Sequence, residues 1–136
     1  MWNNLFRPVN LLQQGLNAAW TRNAVIRNNI ANVETPGFQA SDVEFESHLA
    51  RALENSGFRG TMTHSGHREL GVSADASSVV PRIVQRRGTA MRLDGNNVDI
   101  EAENVKLAQN SLQYNVLVEK MNSELRRLRM AITEGR

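Results

Sequence analysis

Cysteine is absent from this chain, which removes any disulfide framework, thiol nucleophile or thiolate metal site. Aromatic residues are scarce, at 5% (four Phe, two Trp and one Tyr), within a hydrophobic fraction of 40%. Over 136 residues that is enough for one modest domain of packed helices and thin for a large globular core. Lysine is nearly missing: Lys106 and Lys120 are the only two, and every other basic residue is arginine. The pI of about 9.7 therefore overstates the basic character. Arginine does not deprotonate in any useful range, so a surplus of 16 basic over 14 acidic residues lifts the pI while the net charge is only +2. A charge of that size makes no phosphate-neutralising surface, which argues against nucleic acid as a partner. No run approaches the roughly 20 apolar residues of a membrane span. The first twenty residues hold Arg7 and scattered apolar positions in place of a secretory signal, so any passage out of the cytoplasm is expected to need no cleaved leader.

What is present is helical periodicity at both ends. Val9, Leu12, Leu16, Ala19, Ile26, Ile30 and Val33 step by three and four, with Asn23 filling the one polar seam position. That is a heptad stripe of the kind that pairs helices. It extends backwards through Leu5 and Trp2, with Pro8 expected in the first helical turn. Pro36 ends it, and Pro36-Gly37 suits the centre of a type II turn with Gly37 at positive φ. Ser41-Asp42-Val43-Glu44 has the spacing of a capping box, which predicts a short helix over about Asp42 to Glu54, ending near Ser56-Gly57.

From Gly57 to Asn97 no helical period survives. Gly57, Gly60, Gly66, Gly71, Gly88 and Gly95 punctuate a stretch carrying Arg59, Arg68, Arg82, Arg86, Arg87 and Arg92 against Glu69 and Asp75. Residues 82–86 suit a short strand, and Asp94-Gly95 a turn. The last helix is predicted from a cap at Asp99, or alternatively Asn97, to about Thr133, with Gly135 just beyond. Glu101 and Glu103 fit its first turn as ordinary helix-start acids. Its apolar residues form two faces. Val105, Ala108, Leu112 and Val116 lie on one; Leu107, Tyr114, Val118, Met121, Leu125, Leu128 and Ile132 lie roughly opposite.

The expected fold is thus mainly α. Long terminal helices pair as a coiled-coil hairpin, with a turn, a short helix and a Gly- and Ser-rich, partly β or disordered segment between them. In domain terms, 1–34 and 98–136 form one helical unit and 35–97 the middle segment. At 1.5 Å per residue the two helices would be ~39 and ~52 Å long. A compact globule of this chain length has a radius of gyration of only ~14 Å. The second apolar face of the last helix is left open, and exposed stripes of that length mark contacts with other subunits. A self-contained bundle would need further helices that the pattern lacks.

Catalytic patterns are missing. His64 and His67 have an H-x-x-H spacing but lack cysteine or a well-placed acid, so a solvated loop pair is the better reading; His48 is expected at the surface of the short helix. There is no G-x-S-x-G, phosphate-binding Gly loop or H-E-x-x-H, and Arg86-Arg87 reads as a solvated basic pair. No catalytic residue, metal, cofactor or small-molecule substrate is expected.

Three motifs carry a resemblance. Asn29, Ile30, Ala31 and Asn32, then Thr35, Pro36, Gly37 and Phe38, resemble the signature of the flagellar axial proteins of rod and hook. Asp94, Gly95, Asn97, Val98 and Asp99, followed by Asn110 and Tyr114, are similar to the C-terminal motif of the small B-type subunits of the proximal basal-body rod. Asn104-Val105 departs from the pattern, in which a Met follows the acidic run. The resemblance implies a structural subunit whose terminal helices build the inner layer of a tube carrying torque from motor to hook. It implies as partners other rod proteins, the membrane-ring adaptor, the flagellar type III export apparatus and further copies of the chain. It also implies a periplasmic location reached without a cleaved signal. Within that frame, helix pairing is assigned to Val9, Leu12, Leu16, Ala19, Asn23, Ile26, Ile30, Val33, Leu107, Met121, Leu125 and Leu128. The subunit interface is assigned to Val105, Leu112 and Val116. Asn29 and Asn32 are expected to hydrogen-bond backbone at the helix end, Ala31 to allow a close approach and Phe38 to anchor the exit turn. The competing reading is a cytoplasmic coiled-coil adaptor or a basic nucleic-acid-binding protein.

Overall fold

The computed structural model describes residues 2–55, 79–88 and 92–134, with only the backbone described at 2–5, 55 and 134. Helix α1 spans Trp2–Ala31, strand β1 Ser41–Glu44, helix α2 Glu46–Asn55, strand β2 Arg82–Gln85 and helix α3 Ile100–Glu134. The long helices run antiparallel: Asn29 meets Glu103, Ala19 meets Asn110 and Gly15 meets Leu117. The architecture is the expected long helical pair, with a short helix and a small sheet at its connected end. His64, His67, Glu69, Gly57, Gly60, Gly66, Gly71 and Gly135 lie outside the described residues.

Two expectations are corrected. Ser41–Glu44 is a strand and not a capping box; it pairs antiparallel with β2, from Ser41 opposite Gln85 to Glu44 opposite Arg82. Here Val43 and Phe45 are buried on alternate positions while Glu44 is exposed, a period of two that suits a strand. The partner strand comes from some forty residues further on, out of reach of any local signal. Helix α2 accordingly opens at Glu46, where the Phe45 carbonyl accepts from Leu49 N–H at 2.9 Å. The second correction is Pro8, which lies inside α1 and not in its first turn. Its ring removes one hydrogen bond near the end of a 30-residue helix. The following turns are held by the half-buried Val9, Leu12 and Leu16.

The apolar core is small and alanine-rich. It comprises Ala18, Ala19, Val25 and Ile26 of α1 with Ala40, Val43, Phe45, Ala52 and Val98. Of the predicted stripe on α1, Ala19 and Ile26 are buried and Val9, Leu12, Leu16, Asn23, Ile30 and Val33 half-buried. Ala18, Val25 and Asn29, each beside a stripe position, join the buried face. On α3, Leu107, Leu117, Val118, Met121 and Leu128 are half-buried. Leu125, assigned to helix pairing, is 48% exposed, and Ile132 is 73% exposed. Leu125 stands at the same angle of α3 as the half-buried Leu107, about five full turns earlier at 100° per residue, so its exposure follows from its place near the open end of the hairpin, opposite the first turns of α1.

Gly15 gives this packing a direct test. A Cβ built there would lie 3.5 Å from both terminal methyls of Leu117, an ordinary contact. Gly15→Ala should therefore stabilise the chain by about 0.4–1 kcal/mol, through the lower entropy of the unfolded state. Gly37→Ala, at a φ of 70°, should destabilise it. Thermal unfolding of the two variants should move Tm in opposite directions.

Candidate functional site: a polar junction and the outer faces of the hairpin

The four largest fully buried side chains are Glu103, Asn29, Asn96 and Asn97, all polar. They meet where α1 ends and α3 begins. Asn29, in the last turns of α1, donates from Nδ2 to the Ser41 carbonyl at 2.8 Å and accepts from Ser41 N–H at 3.0 Å. A side-chain amide thus pairs with β1 as a neighbouring strand would. The same Nδ2 donates to Glu103 Oε2 at 2.9 Å. Glu103 Oε1 accepts from Arg86 Nη2 at 2.8 Å and from Lys106 Nζ at 3.0 Å. Asp42 completes the cluster, with Arg86 Nε 2.7 Å from Oδ2 and Lys106 Nζ 3.1 Å from Oδ1. Two carboxylates and two cations balance, and α1, β1, the end of β2 and α3 are tied together.

The electrostatics follow from these contacts. Burial pushes the Glu103 carboxyl up, but hydrogen bonds from Asn29, Arg86 and Lys106 outweigh it and hold the group below its ordinary value. Burial likewise opposes ionisation of Asp42, and Lys106 and Arg86 together lower it. Arg86 is raised, because its bonds to Glu103 and Asp42 outweigh its own desolvation. A second tie lies one layer away: Arg22 of α1 donates to both Glu46 oxygens at 2.7 Å and to Gln113 Oε1 at 3.2 Å, joining α1, α2 and α3. Glu46 is lowered, its burial outweighed by Arg22, by a backbone N–H and by Gln113.

Two stacked turns fix how the chain leaves α1. Phe38 N–H closes onto the Thr35 carbonyl at 3.3 Å around Pro36 and Gly37. Gly37 N–H then donates to the Asp94 carbonyl at 2.9 Å. Gly95, at a φ of 82°, packs so closely that a Cβ there would meet Gly37 Cα at 3.7 Å. Asn96 Nδ2 donates to the carbonyls of Asn32, Val33 and Thr35 at 3.1, 3.0 and 2.8 Å, holding the turns that follow α1 from the opposite arm. Asn97 accepts from Ala40 N–H at 2.6 Å and donates to the Arg86 carbonyl at 2.9 Å, bridging the two sides of the junction. The cap of α3 is Asp99, whose Oδ1 accepts from Glu101 and Ala102 N–H at 3.0 and 3.2 Å.

Placement of the motif residues is therefore uneven. Asn29, Thr35, Pro36, Gly37, Asp94, Gly95, Asn97, Val98 and Asp99 converge on this junction, with Phe38 half-buried beside it. Asn32 bonds locally, to the Asn28 carbonyl at 2.8 Å. Ala31, expected at a close approach, is instead exposed on the last turn of α1, because the contact with β1 passes through Asn29. Asn110 lies on the seam and donates to the Ala19 carbonyl at 2.9 Å; Tyr114 stands at its rim. Two readings are corrected: Glu103 is no ordinary helix-start acid, and Arg86 no solvated loop residue. Glu103 stands seven residues before Asn110 and four before Leu107, so heptad spacing alone puts it on the seam, a signal available in the sequence. Asn96, Arg86 and Asp42 carried no such signal. Val105, Leu112 and Val116 are 56, 68 and 56% exposed on the outer side of α3. His48 is half-buried, 3.6 Å from Glu44. Among the described residues no group of three or more His, Cys, Asp or Glu side chains could hold a metal, and no helix is long and apolar enough to cross a membrane.

This arrangement defines a class: a structural protein with an interior held by polar bonds and with apolar residues left on its outer helix faces. Comparison with known proteins supplies the family. The family described as "Flagella basal body rod protein" matches residues 10–39. The chain is 35% identical to the flagellar basal body rod protein FlgB of Bacillus subtilis, over 92% of each chain. It is 32% identical to FlgB of Salmonella typhimurium over 99% of each. With FlgB of Aeromonas hydrophila it shares 34% over 88% of each. The chain belongs to the FlgB family of flagellar basal body rod proteins, a structural family and not an enzyme family. It is a structural subunit of the basal-body rod of the flagellum, where it assembles with other rod components.

The junction should be acid-sensitive. Both cluster carboxylates ionise more easily folded than unfolded, so their stabilisation is complete well above about pH 4 and is lost as pH falls through and below that range. Glu103→Gln should cost about 2–3 kcal/mol near neutral pH, because one end of the amide must face either Asn29 Nδ2 or the two cations as a donor. Urea unfolding of both chains from about pH 7 to about pH 3 should show a steeper loss for the native chain than for the variant.

Proposed function

We propose that this chain builds the proximal part of the rod, its terminal helices packing side by side with those of neighbours into a tube that carries torque from motor to hook. In this reading residues 1–34 and 98–136 act as one helical assembly unit, and 35–97 is an insert secured to it by the polar junction. The observation that carries the reading is the inverted distribution of polarity: the most buried large side chains are Glu103 and three asparagines, while Trp20, Leu112, Val105 and Val116 stand in solvent. Apolar stripes on a hairpin too thin to bury them are covered by assembly. Val105, Leu112 and Val116 then form a subunit interface, and the membrane-ring adaptor and the flagellar export apparatus are further partners. The location is the periplasmic rod, reached by export without a cleaved leader. A nucleic-acid-binding role has little support, because Arg22, Arg86, Arg92 and Lys106 are paired with carboxylates.

Leu112→Glu should change the stability of the isolated subunit by less than about 0.5 kcal/mol, the usual range for a surface position, yet block its incorporation. Leu128→Glu, on the half-buried seam, should lose about 1–3 kcal/mol and also fail to assemble. Ile26→Asp places an unpaired charge at a residue only 3% exposed and should prevent rod completion outright. Thermal unfolding of each purified chain is read beside swimming in a complemented deletion strain. If Leu112→Glu unfolds the subunit as severely as Leu128→Glu, or swims normally, the outer face is not an interface.

A further inference from the structure

One side of the hairpin holds a groove of about 430 Å³ between α1 and α3, lined by Trp20, Asn23, Ala24 and Arg27 from one helix and Asn110 and Tyr114 from the other. Three features mark it as incomplete. The Trp20 side chain is 71% exposed at its edge, although tryptophan is the largest apolar residue available to the fold. Asn110 is 3% exposed; its Nδ2 is bonded to α1, but its Oδ1 has no donor among the described residues. Arg27 has no ion-pair partner among the described residues, and α1 contains no acidic residue at all while carrying Arg7, Arg22 and Arg27.

The face of α3 turned away from α1 presents the matching surface. Leu112, Val116 and Glu119 form an exposed row, and Glu119 likewise has no partner among the described residues. Trp20, Ala24 and Arg27 are spaced by four and then three residues; Leu112, Val116 and Glu119 repeat that spacing. Laid parallel, the two rows bring Leu112 against Trp20, Val116 against Ala24 and the Glu119 carboxylate against the Arg27 guanidinium.

Resting on the rod assignment above, we infer that the groove receives the Leu112–Glu119 row of a second copy of this chain, parallel to α1. The occupant supplies apolar cover for Trp20 and the missing negative charge for Arg27. Because groove and row are different surfaces of one molecule, the contact is head-to-tail and does not close on itself after two copies. Repetition of such a contact generates a helical array, the geometry a rod requires.

The chain has no cysteine, so introduced thiols report contacts without background from native ones. Ala24→Cys and Val116→Cys are placed on separately tagged copies, both exposed in the free subunit, and co-expressed in a deletion strain. Basal bodies are then isolated and oxidised. A covalent dimer joining the two tags is expected. It should be absent when Leu93→Cys, far along the chain on an exposed turn, replaces Val116→Cys. Arg27→Glu or Glu119→Arg alone should lower the yield about fivefold, and the two together should restore it. The inference is overturned if the tagged pair gives no dimer, if Ala24→Cys links instead to a chain of another mass or to its own tag, or if the double charge reversal fails to restore the yield. Swimming separates the two levels: variants that swim but do not cross-link remove the groove assignment alone. Failure of the native chain to restore swimming removes the rod role itself.

Discussion

A carboxylate removed from water must find its hydrogen bonds elsewhere, and in this chain Glu103 finds them on three separate segments of the connected end. Asn29 arrives from α1, Arg86 from the end of β2, and Lys106 from the next turn of α3, while Asp42 of β1 shares both cations. Withdrawing Asn29, Arg86 or Lys106 would leave the Glu103 carboxylate, 1% exposed, short of a partner. The two helices, the two-stranded sheet and the turns between them are therefore joined through one cluster. Its cooperativity stands in for the large apolar core that a chain with so few aromatics cannot build.

The same economy shapes the helix pair. Alanines at 18 and 19 let α3 approach closely enough for Asn110 to reach the Ala19 carbonyl, and Gly15 accommodates the methyls of Leu117. A seam made of small residues and amides is specific in register, because a slip by one position would bury unpaired polar atoms. It is not deep, and it leaves the larger apolar side chains on the outside. In a monomer such a distribution would be a liability; in a rod subunit it separates the bonds that define the fold from the surfaces offered to neighbours.

Direction at the junction is set by backbone conformation. Gly37 and Gly95 both adopt positive φ and pack against each other, so the chain leaving α1 and the chain entering α3 turn at the same place. Asn96 then reaches across to the carbonyls of the turns that follow α1. The exit from one helix is thus held by the arm that leads into the other, which couples the insert to the hairpin as one unit.

Much of this was legible in the sequence because it depends on neighbours along the chain. The two long helices, the Asp99 cap, the Pro36-Gly37 and Asp94-Gly95 turns and the strand at 82–85 are all local patterns, and each appears where its residues suggested. Ser41-Asp42-Val43-Glu44 satisfied the spacing of a cap and became a strand, because its ladder partner lies some forty residues away and no local rule sees it. Pro8 entered the helix interior for the related reason that packing outweighed a local preference. Helical architecture was thus determined by the sequence alone, through periodicity and turn chemistry, and the family was legible through the likeness of three motifs to those of the axial proteins. Spacing from Leu107 and Asn110 already put Glu103 on the seam, but tertiary structure alone decided which groups would meet it there: Asn29 lies 74 positions away, and a buried charge is tolerable only once folding has gathered its partners around it.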